Sequence, residues 1–354
     1  MLSVGEIKDA VQWDSALRVL PAAHILQSWA WTETKAQTGW RAQRLLWAAN
    51  SRPVAAAAFL SRRLSTRLPA AVGYVPKGPA LDWSDTELAG QVLERIQEQA
   101  RRQRAIFVKI DPDVRADAGT GQVVQTLLIQ RGWRASDEQI QYRNTMITDL
   151  NPDEETLLNG MKPKWRYNIR LSARRGVVVR DGTSADLPAF YGLYAETGER
   201  DGFLVRPYPY YESIWSRFMM EDLAHLLLAE LDGELVAGLI LFRFGGTAWY
   251  FYGASTAVGR EAMPNHALQW AALCWAKAAG CTRYDWWGAP DKLEEVDPMW
   301  GVYRFKVGFG GEFIPWIGAW DFPISRPLYW LYTVAMPRFL ELARKRHRAG
   351  FTER

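Results

Sequence analysis

The sequence predicts an α/β protein of two similar domains with a binding cleft between them. Its 354 residues exceed the usual length of one domain, and segments with strand patterns alternate with segments of helical periodicity. An internal repeat is the third observation. Residues 71–112 and residues 248–290 each contain a strand with a tyrosine, a turn, a long helix and a second strand that ends at an aspartate. Paired domains of this kind favour a ligand site in the groove between them.

The first half of the chain is predicted to form an α/β domain over residues 1–150. A helix is expected at residues 27–39, ending at Gly39, and another after Ser84 and Glu87, whose three-residue spacing is that of a capping box. The other expected elements are a helix at residues 123–131 and strands at residues 43–48, 54–60, 71–75, 105–110 and 139–147.

The second domain is predicted to begin at residues 151–153, where Asn-Pro-Asp is typical of a linker and a helix start. A meander of strands joined by Asp-Gly and Gly-Gly turns follows. The expected elements are helices at residues 183–199 and 265–279 and strands at residues 226–231, 234–244, 248–253 and 282–287.

Composition excludes several classes of protein. The net charge of +4 is too small for its length to indicate a nucleic-acid binder by itself. Cys274 and Cys281 have no partners at metal-ligand spacing, which fits a reducing compartment. The start of the chain lacks a signal-peptide pattern, and no apolar stretch reaches the ~18 to 20 residues of a membrane span, so we expect a cytoplasmic protein.

The densest group of aromatics, glycines and charges lies at residues 283–312, and we expect the chemistry there. Residues 303–307 are predicted to be a strand running into a glycine turn. Alternation along a strand would place Arg304 and Lys306 on one face and Tyr303 on the other. The glycines that follow allow unusual backbone torsions or the close approach of a ligand.

A second cationic segment lies at residues 161–180, which contain no acidic residue. In a helix, Arg166, Arg170 and Arg174 would form one stripe, with Lys164 beside it. An uncompensated basic run of this kind favours a phosphate-rich ligand such as RNA, although a solvated helix face is the alternative interpretation.

Common catalytic motifs are absent from the sequence. The four histidines are scattered, no GxSxG motif occurs, and the GFGG at residues 308–311 is not followed by the Lys-Ser or Lys-Thr of a phosphate-binding loop. We expect neither a metal nor another cofactor. Positioning and charge stabilisation remain, and they suffice for acyl transfer when the substrate brings its own nucleophile.

Four spaced motifs resemble the Fem family of aminoacyl-tRNA-dependent peptidyltransferases. They are KWRYNIR at residues 164–170 with RGV at 175–177, YGAS at 252–255, YDWWG at 284–288 and FKVGFGG at 305–311. The resemblance extends over nearly the whole chain. It implies two tandem GNAT-like N-acyltransferase domains, the first being residues 1–150 with about 318–354 and the second being residues 151–317. Residues 161–186 leave no room for the coiled-coil arm of many members, so the chain resembles the armless type.

The resemblance also implies a reaction. The stem-peptide amine of a peptidoglycan precursor, either UDP-MurNAc-pentapeptide or lipid II, would attack the ester carbonyl of aminoacyl-tRNA. Lys306 matches the lysine that stabilises the tRNA end or the developing oxyanion. Lys35, by its matching segment, and Arg206, by its place in an aromatic and proline-rich loop, are expected to clamp the precursor's diphosphate.

Their positions in and after the predicted strands indicate roles for further residues. Asp111 and Asp285 follow strand ends and are predicted to orient the attacking amine, with a turn-forming role as the alternative. Tyr252 is predicted to hydrogen-bond the peptide or to pack in the core, and Tyr303 and Arg304 are predicted to contact substrate beside Lys306.

Three alternatives stay open at this point. The chain could be an acyl-CoA-dependent N-acyltransferase of the same fold, although it lacks that class's pyrophosphate loop. It could be a non-catalytic module that binds tRNA or the precursor. The aromatic and then basic residues 328–348 predict a peripheral contact with an anionic membrane, or else an ordinary packed terminal helix.

Overall fold

The computed structural model of the chain describes residues 2–65 and 69–338. Most of the expected elements are present, with ends shifted by a few residues. The strands are β1 (Leu2–Glu6), β2 (Arg41–Ala49), β3 (Arg52–Arg63), β4 (Ala71–Val75), β5 (Ala80–Leu81), β6 (Ala105–Ile110), β7 (Arg134–Ala135), β8 (Asn144–Asp149), β9 (Val178–Asp181), β10 (Ala224–Leu231), β11 (Glu234–Phe244), β12 (Thr247–Ser255), β13 (Arg283–Asp285), β14 (Glu312–Pro315) and β15 (Trp320–Pro323).

The helices alternate with these strands. They are α1 (Ala10–Arg18), α2 (Trp29–Ala36), α3 (Thr86–Arg102), α4 (Gly119–Gln130), α5 (Glu154–Gly160), α6 (Pro163–Arg174), α7 (Leu187–Asp201), α8 (Tyr208–Met220), α9 (Pro264–Ala278), α10 (Trp300–Val307) and α11 (Arg326–Trp330). Helical geometry continues after α11 through residue 338, with a wider turn at residues 331–335. None of the helices in the described ranges is long and apolar enough to cross a bilayer.

The first sheet has the strand order β1-β2-β3-β4-β6-β15-β7, with β5 also paired to β3. Its neighbours are antiparallel except for β4 and β6, which are parallel and joined by α3. The apolar side chains of α3, among them Val92, Leu93 and Ile96, are buried against this sheet. The predicted capping box at Ser84 is wrong, because the Asp85 side chain is the one that accepts from the Leu88 amide, at 2.9 Å.

The second sheet has the order β14-β8-β13-β12-β11-β10-β9 and repeats the same plan. Its one parallel pair is β12 with β13, and the long helix α9 joins them. The predicted repeat of strand, long helix and strand is therefore present in both sheets. Parallel neighbours need such a crossover, which explains why each long helix follows the turn after a strand.

Of two segments near the predicted limits of the domains, one pairs outside its predicted domain and the other pairs within it. The strand predicted at residues 139–147 is β8, and it pairs with β13 and β14 of the second sheet instead of completing the first. In contrast, β15 pairs with β6 and β7 of the first sheet. The boundaries of the two domains stay a prediction, and these pairings favour placing the first boundary just before β8.

A shared apolar layer joins the two sheets. Ala56 and Ala58 of β3 belong to the same buried cluster as Phe242 of β11 and Trp249 of β12. Helices α1, α2, α7 and α8 supply the rest of this layer, so the sheets are held in one fixed relation by burial of large aromatic side chains. Helix α8 was not predicted from the sequence, because Pro207 and Pro209 indicated a loop there. Both prolines lie at the start of the helix, where proline is tolerated.

The strand predicted at residues 303–307 is wrong, because these residues lie in helix α10. Lys306 is buried and Arg304 is exposed, so the two cations do not share a face. A short aromatic and β-branched run does not distinguish a strand from a buried helix by its pattern alone. Here tertiary contacts decide: Phe305 packs against the ring of Phe309, and Tyr303 against that of Phe313.

The glycines after α10 serve packing. A Cβ on Gly308 would lie 2.0 Å from the indole of Trp165 on α6, and Gly310 has a φ of +87°. Trp165 Nε1 also donates to the carbonyl oxygen of Phe305 at 3.0 Å. The KWRYNIR and FKVGFGG motifs thus fit against each other, and the close approach is that of α6 and not of a ligand. Three residues separate α6 from β9, so the chain has no inserted arm at this point.

Candidate active site

The two parallel strand pairs end at the same place, between the sheets. Asp111 follows the end of β6 in the first sheet, and Asp285 is the last residue of β13 in the second. Both carboxylates are buried, and both interact electrostatically with the ammonium group of Lys77. The structure therefore brings together the two predicted aspartates around a cation that sequence reasoning had missed.

Lys77 is held in an unusual backbone conformation. Its φ is +47°, and its amide donates to Asp111 Oδ1 at 2.5 Å. The side chain of Gln27 clamps the same turn by donating to the carbonyl oxygen of Pro76 and accepting from the Ala58 amide at 2.7 Å. A positive φ strains a lysine backbone, and buried hydrogen bonds hold it in that conformation. Strained residues of this kind are typical of functional sites.

The ammonium group of Lys77 forms a buried ion pair. Its Nζ lies 3.0 Å from Asp113 Oδ1 and 5.7 Å from the centre of the Trp287 ring. Burial opposes the charge, but Asp113 and Asp111 together hold the pKa of Lys77 above its ordinary value. His24 Nε2 lies 4.0 Å from Asp113, and burial lowers the pKa of His24 to about 3, so this ring is neutral.

Asp111 has both carboxylate oxygens occupied. Tyr74 donates its hydroxyl to Oδ2 at 2.7 Å, while Oδ1 accepts from Lys77. Burial raises the pKa of Asp111 to about 6, against the opposing charge of Lys77. These contacts favour the turn-forming interpretation of Asp111, which holds Lys77 in place, over direct contact with a substrate amine.

Asp285 organises the matching turn of the second sheet. Its Oδ1 accepts from the Thr145 hydroxyl and from the Trp287 amide, the latter at 2.8 Å. Burial raises the pKa of Asp285. Trp287 and Gly288 both have positive φ, +54° and +31°, so the chain turns sharply away from the sheet at this point.

Lys306 fills the inside of that turn. Its Nζ donates to the carbonyl oxygens of Trp287 at 2.5 Å and of Gly288 at 2.7 Å, and the side chain is only 4% exposed. Burial lowers the pKa of Lys306 to about 7, with Asp285 opposing the shift. A lysine with a pKa near neutrality, held by fixed acceptors at the end of a strand, is a strong candidate for a functional group.

The strands separate next to Lys306. The β12 and β13 pairing covers only Thr247 to Trp249, and β12 then continues alone on this side through Tyr250 and Tyr252. Tyr250 lies beside the lysine, with its ring centre 6.0 Å from Lys306 Nζ. In the described part of the chain, no strand pairs with Tyr250 to Gly253 of β12 on the side that Lys306 borders, and an extended substrate can enter there.

Lys35 and Arg206 come together as predicted, on α2 and just before α8. Lys35 Nζ lies 4.3 Å over the Trp31 ring, and the Arg206 guanidinium lies 4.5 Å over the Tyr210 ring. Burial, and then the charge of Arg206, lower the pKa of Lys35 to about 8. Within residues 2–65 and 69–338, neither cation has a carboxylate within 4.0 Å, so the pair lacks a counter-charge.

Tyrosines fill the space between the two cationic points. Tyr252 packs against Tyr194 and Tyr211 with ring centres 5.6 and 5.9 Å away, and the charge of Arg206 also acts on its hydroxyl. Burial raises the pKa of Tyr252 well above its ordinary value, so the hydroxyl keeps its proton and can donate a hydrogen bond. Tyr252 therefore lies between the Lys35 and Arg206 pair and the opening beside Tyr250.

Two predicted substrate contacts lie elsewhere. Tyr303 packs between Trp300 and Phe313, with ring centres 5.4 and 6.1 Å away. Arg304 is exposed on the outer side of α10. Helical geometry turns Arg304 away from Lys306, and the contacts of Tyr303 and Arg304 with substrate stay a prediction.

The basic segment is helix α6, as its spacing predicted. Lys164, Arg170 and Arg174 are exposed on it. Arg166 is partly engaged, since its guanidinium donates to the carbonyl oxygens of Asn159 at 3.0 Å and Met161 at 2.5 Å, at the end of α5. Because α6 packs against the end of α10, its cations lie on the element next to Lys306.

The residues that sequence reasoning missed are Lys77, Asp113, His24 and Trp287. One signal could have found two of them: a lysine inside a Pro-Lys-Gly-Pro turn and a second aspartate after Asp111-Pro112 both follow strands of the same parallel pair. Asp113 and Asp285 also border a cavity of about 420 Å³ between the sheets. His24 and Trp287 gave no pattern, since each acts through contacts made in three dimensions.

Comparison with known proteins extends the structural result. A family model described as an acetyltransferase (GNAT) domain matches residues 161–307, and one described as the FemAB family matches residues 17–127. The lipid II:glycine glycyltransferase of Staphylococcus aureus strain USA300 is 27% identical over 396 aligned residues, which cover 92% of this chain and 94% of that protein.

Solved structures share the fold. The crystal structure of FemX has a TM-score of 0.86 and 26% sequence identity, and the match covers 93% of this chain and 99% of that one. A tandem GNAT protein from the clavulanic acid biosynthesis pathway has a TM-score of 0.51 and 14% identity, covering 91% of this chain and 98% of its own.

Fold and site together define a transferase of acyl or aminoacyl groups that is built from two tandem GNAT-like domains with a cleft between them. Within that class, the chain is most like the Fem family in these comparisons, since the FemAB family model matches residues 17–127 and the FemX structure matches nearly the whole fold.

Proposed function

We propose that this protein transfers an aminoacyl group from aminoacyl-tRNA to the stem-peptide amine of a peptidoglycan precursor, at the inner face of the membrane. The observation that carries the proposal is the pair of separate cationic points with tyrosines between them. Lys35 and Arg206 lie on one side, and Lys306 lies on the other. The similarity to the lipid II:glycine glycyltransferase of Staphylococcus aureus supports an acceptor with a diphosphate.

The acceptor half of the proposal rests on Lys35 and Arg206. Two cations without a carboxylate partner, each stacked on an aromatic ring, form a pre-organised site for phosphate oxygens. A diphosphate bound there would direct the attached sugar and peptide along Tyr252 towards the opening beside Tyr250. The buried Tyr252 hydroxyl donates to the peptide in this arrangement.

The donor half of the proposal rests on Lys306 and α6. An RNA 3′ end that follows the exposed cations of α6 arrives at α10, which carries Lys306. There the ester carbonyl meets an ammonium group fixed by two backbone oxygens. In the reaction the acceptor amine forms the new amide bond and loses a proton, while the ester bond breaks and the tRNA hydroxyl leaves with a proton.

The test combines purified protein, aminoacyl-tRNA and either the nucleotide-linked or the lipid-linked precursor. We expect a mass increase of one or more aminoacyl residues on the precursor, which also identifies the amino acid. RNase treatment of the donor before mixing is expected to abolish it. Product formation that survives RNase would exclude the tRNA donor, and tight binding of both substrates without product would favour a non-catalytic module.

An acyl-CoA donor is the second candidate, and the match to the acetyltransferase domain model favours it. Against it, α9 begins with Pro264, which removes one of the backbone donors that a pyrophosphate would use at a helix start. Titration calorimetry with acetyl-CoA separates the candidates. We expect no saturable heat, and a specific binding isotherm would revive the acyl-CoA reaction.

Substitution of the diphosphate clamp has a specific expected result. Lys35→Met and Arg206→Met should each raise the KM for the precursor roughly 10- to 100-fold, since a charge-assisted hydrogen bond contributes about 1.5 to 3 kcal/mol. The KM for aminoacyl-tRNA should not change. Steady-state kinetics with each substrate varied in turn measures both values.

The matched control is Arg217→Met on α8. Its ion pair with Glu221 is long, at 4.0 Å, and no other carboxylate of the described ranges lies within that distance, so kinetics should stay at the native level. If Lys35→Met and Arg206→Met raised the KM for the tRNA donor and left that for the precursor unchanged, the clamp would belong to the donor.

A further inference from the structure

A cavity of about 910 Å³ lies at the end of the first sheet opposite Lys77 and Asp111. It is bordered by the starts of β2 and β4 and the ends of β3 and α3, whereas Lys77 and Asp111 follow the other ends of β4 and β6. Its charged lining residues are all arginines. They are Arg41, Arg62, Arg63, Arg102 and Arg104, and the cavity that they line is named the arginine groove.

The arginine groove lacks internal counter-charge. Of its five arginines, only Arg102 has a carboxylate within 4.0 Å in the described part of the chain, a long 3.9 Å contact with Glu98. Guanidinium groups match phosphate oxygens in geometry and charge. An all-arginine lining without carboxylates therefore indicates an external ligand that carries phosphate groups.

Exposed aliphatic side chains flank the groove. Leu64 directly follows Arg63 and is 39% exposed. On the C-terminal helical segment, residues 326–338, Leu328 and Leu331 are 45% and 52% exposed. This segment lies next to the groove. Its Tyr332 is close enough to Arg62 for the charge of the arginine to act on the tyrosine hydroxyl.

Packing fixes the segment to the same surface. Trp40, which lines the groove, and Tyr329 and Tyr332 of the segment pack on one apolar cluster, formed by Val72, Ile106 and Phe107. The arginines and the exposed leucines thus belong to one continuous face. Arginine beside exposed leucine suits a phospholipid surface, in which phosphates and acyl chains lie a few ångströms apart, better than it suits an RNA strand.

We propose that the arginine groove and the exposed leucines of residues 326–338 form a docking surface for an anionic phospholipid bilayer. The position of Lys35 supports the proposal. The Trp40 amide donates to the carbonyl oxygen of Lys35 at 3.3 Å, and Trp40 lines the arginine groove. The inference deepens the proposed function and rests on it for the choice of a lipid-linked acceptor. A diphosphate held at Lys35 would then lie next to the membrane from which its lipid chain extends.

Flotation with vesicles tests the surface without any substrate. The full chain should float with vesicles of phosphatidylcholine and phosphatidylglycerol, not with phosphatidylcholine alone, and added salt should weaken the binding. Arg62→Gln with Arg63→Gln should reduce partitioning roughly 10- to 30-fold, since each basic residue near an anionic surface contributes about 1 kcal/mol. Leu328→Ser with Leu331→Ser should reduce the vesicle binding that persists at high salt.

The matched control is Arg52→Gln with Arg260→Gln. It removes the same charge from exposed positions, and Arg52 lies at the opposite end of β3 from Arg63. Partitioning of this control should stay near the native value. If both double arginine variants lost partitioning equally, net charge and not the groove would explain it, and the docking surface would be rejected.

A tRNA retardation assay on the same variants decides the remaining alternative. Native tRNA affinity in Arg62→Gln with Arg63→Gln is the expected result. Loss of tRNA binding with unchanged vesicle partitioning would overturn the proposal and make the groove an RNA site. Because the vesicles contain no precursor, a failure of docking is distinguishable from a failure of the transfer reaction.

Discussion

Replacing Lys306 with alanine is expected to lower kcat/KM for aminoacyl transfer by about 10²- to 10³-fold, the cost of removing one pre-organised donor from a developing oxyanion. The ammonium group is fixed by the carbonyl oxygens of Trp287 and Gly288, so it needs no reorganisation when charge develops. Steady-state kinetics with the precursor and the charged tRNA measures the effect. Lys292→Ala, an exposed lysine in the preceding loop, is the control and should retain native kinetics.

The pH dependence distinguishes the protonation state in which Lys306 acts. Because burial lowers its pKa to about 7, the free protein changes from ammonium to amine near neutrality. The acceptor amine ionises in the same way in assays of native protein and of Lys306→Ala, so its effect cancels in the ratio of their kcat/KM values. The pH dependence of this ratio therefore reports the titration of Lys306. A cationic role requires the ratio to fall as pH rises through about 7. A ratio that rises instead would make Lys306 a general base.

Stability gives an independent measure of the same pKa. Between about pH 7 and the ordinary lysine pKa of about 10.4, unfolded Lys306 is protonated and folded Lys306 is neutral. The unfolded state binds more protons, so the free energy of unfolding should increase as pH rises through this window. Lys306→Met lacks this contribution, and denaturant titrations at several pH values should show the difference. An equal pH slope in both proteins would contradict the lowered pKa.

Much of the fold follows from local sequence rules. The periodicity of Val92, Ile96 and Ala100 predicted α3, and strand patterns predicted the parallel neighbours β4 and β6. Once strand, long helix and strand recur twice, the rule that functional groups lie at the carboxyl ends of parallel strands points to Asp111 and Asp285. In the structure both residues lie near Lys77, and their contacts with substrate stay a prediction.

What escaped prediction depends on contacts between distant parts of the chain. Residues 300–307 form a helix because Trp165 and Phe313 pack against them, and neither is near in sequence. Their local pattern fits both states. In the same way, Arg304 and Lys306 appeared equivalent as alternate cations of a strand, whereas the helix buries one and exposes the other.

Lys77 shows the same limit more strongly. Its turn was predicted from two prolines and a glycine, but nothing local indicates that the lysine is buried. Three carboxylates surround it, Asp111 and Asp113 after β6 and Asp285 from the other sheet. Only the pairing of both sheets brings these charges to one place, so the burial of this lysine among three carboxylates becomes visible in three dimensions alone.

Removal of that cation is expected to have the largest effect on stability. Lys77→Met keeps the length of the side chain but leaves Asp113 without its ion pair at 3.0 Å. Breaking a buried ion pair by removing one partner costs about 3 to 5 kcal/mol, and we expect the free energy of unfolding at pH 7 to fall by that amount. Urea denaturation measures it, and Lys8→Met, an exposed lysine, should change stability by less than about 0.5 kcal/mol.

The pH dependence of this loss identifies its cause. Burial already raises the pKa of Asp111 to about 6 and that of Asp285 above its ordinary value with Lys77 present, and without the cation both should rise further. The folded variant then binds more protons than its unfolded chain, so its stability falls as pH rises from about 4 to above 6. The deficit relative to the native protein should shrink on acidification through that range.

A double-mutant cycle with Asp113→Asn completes the argument about Lys77. If the ion pair is the source of the loss, Asp113→Asn should restore about 0.5 to 3 kcal/mol to the Lys77→Met protein. Additive losses would instead assign the effect to the packing of the lysine chain. Because the Lys77 ammonium lies 5.7 Å from the Trp287 ring, and the carbonyl oxygen of Trp287 holds Lys306, the restored variant should still transfer slowly. Recovery of stability without recovery of kcat would make Lys77 a positioning residue that couples the two sheets at the reacting centre.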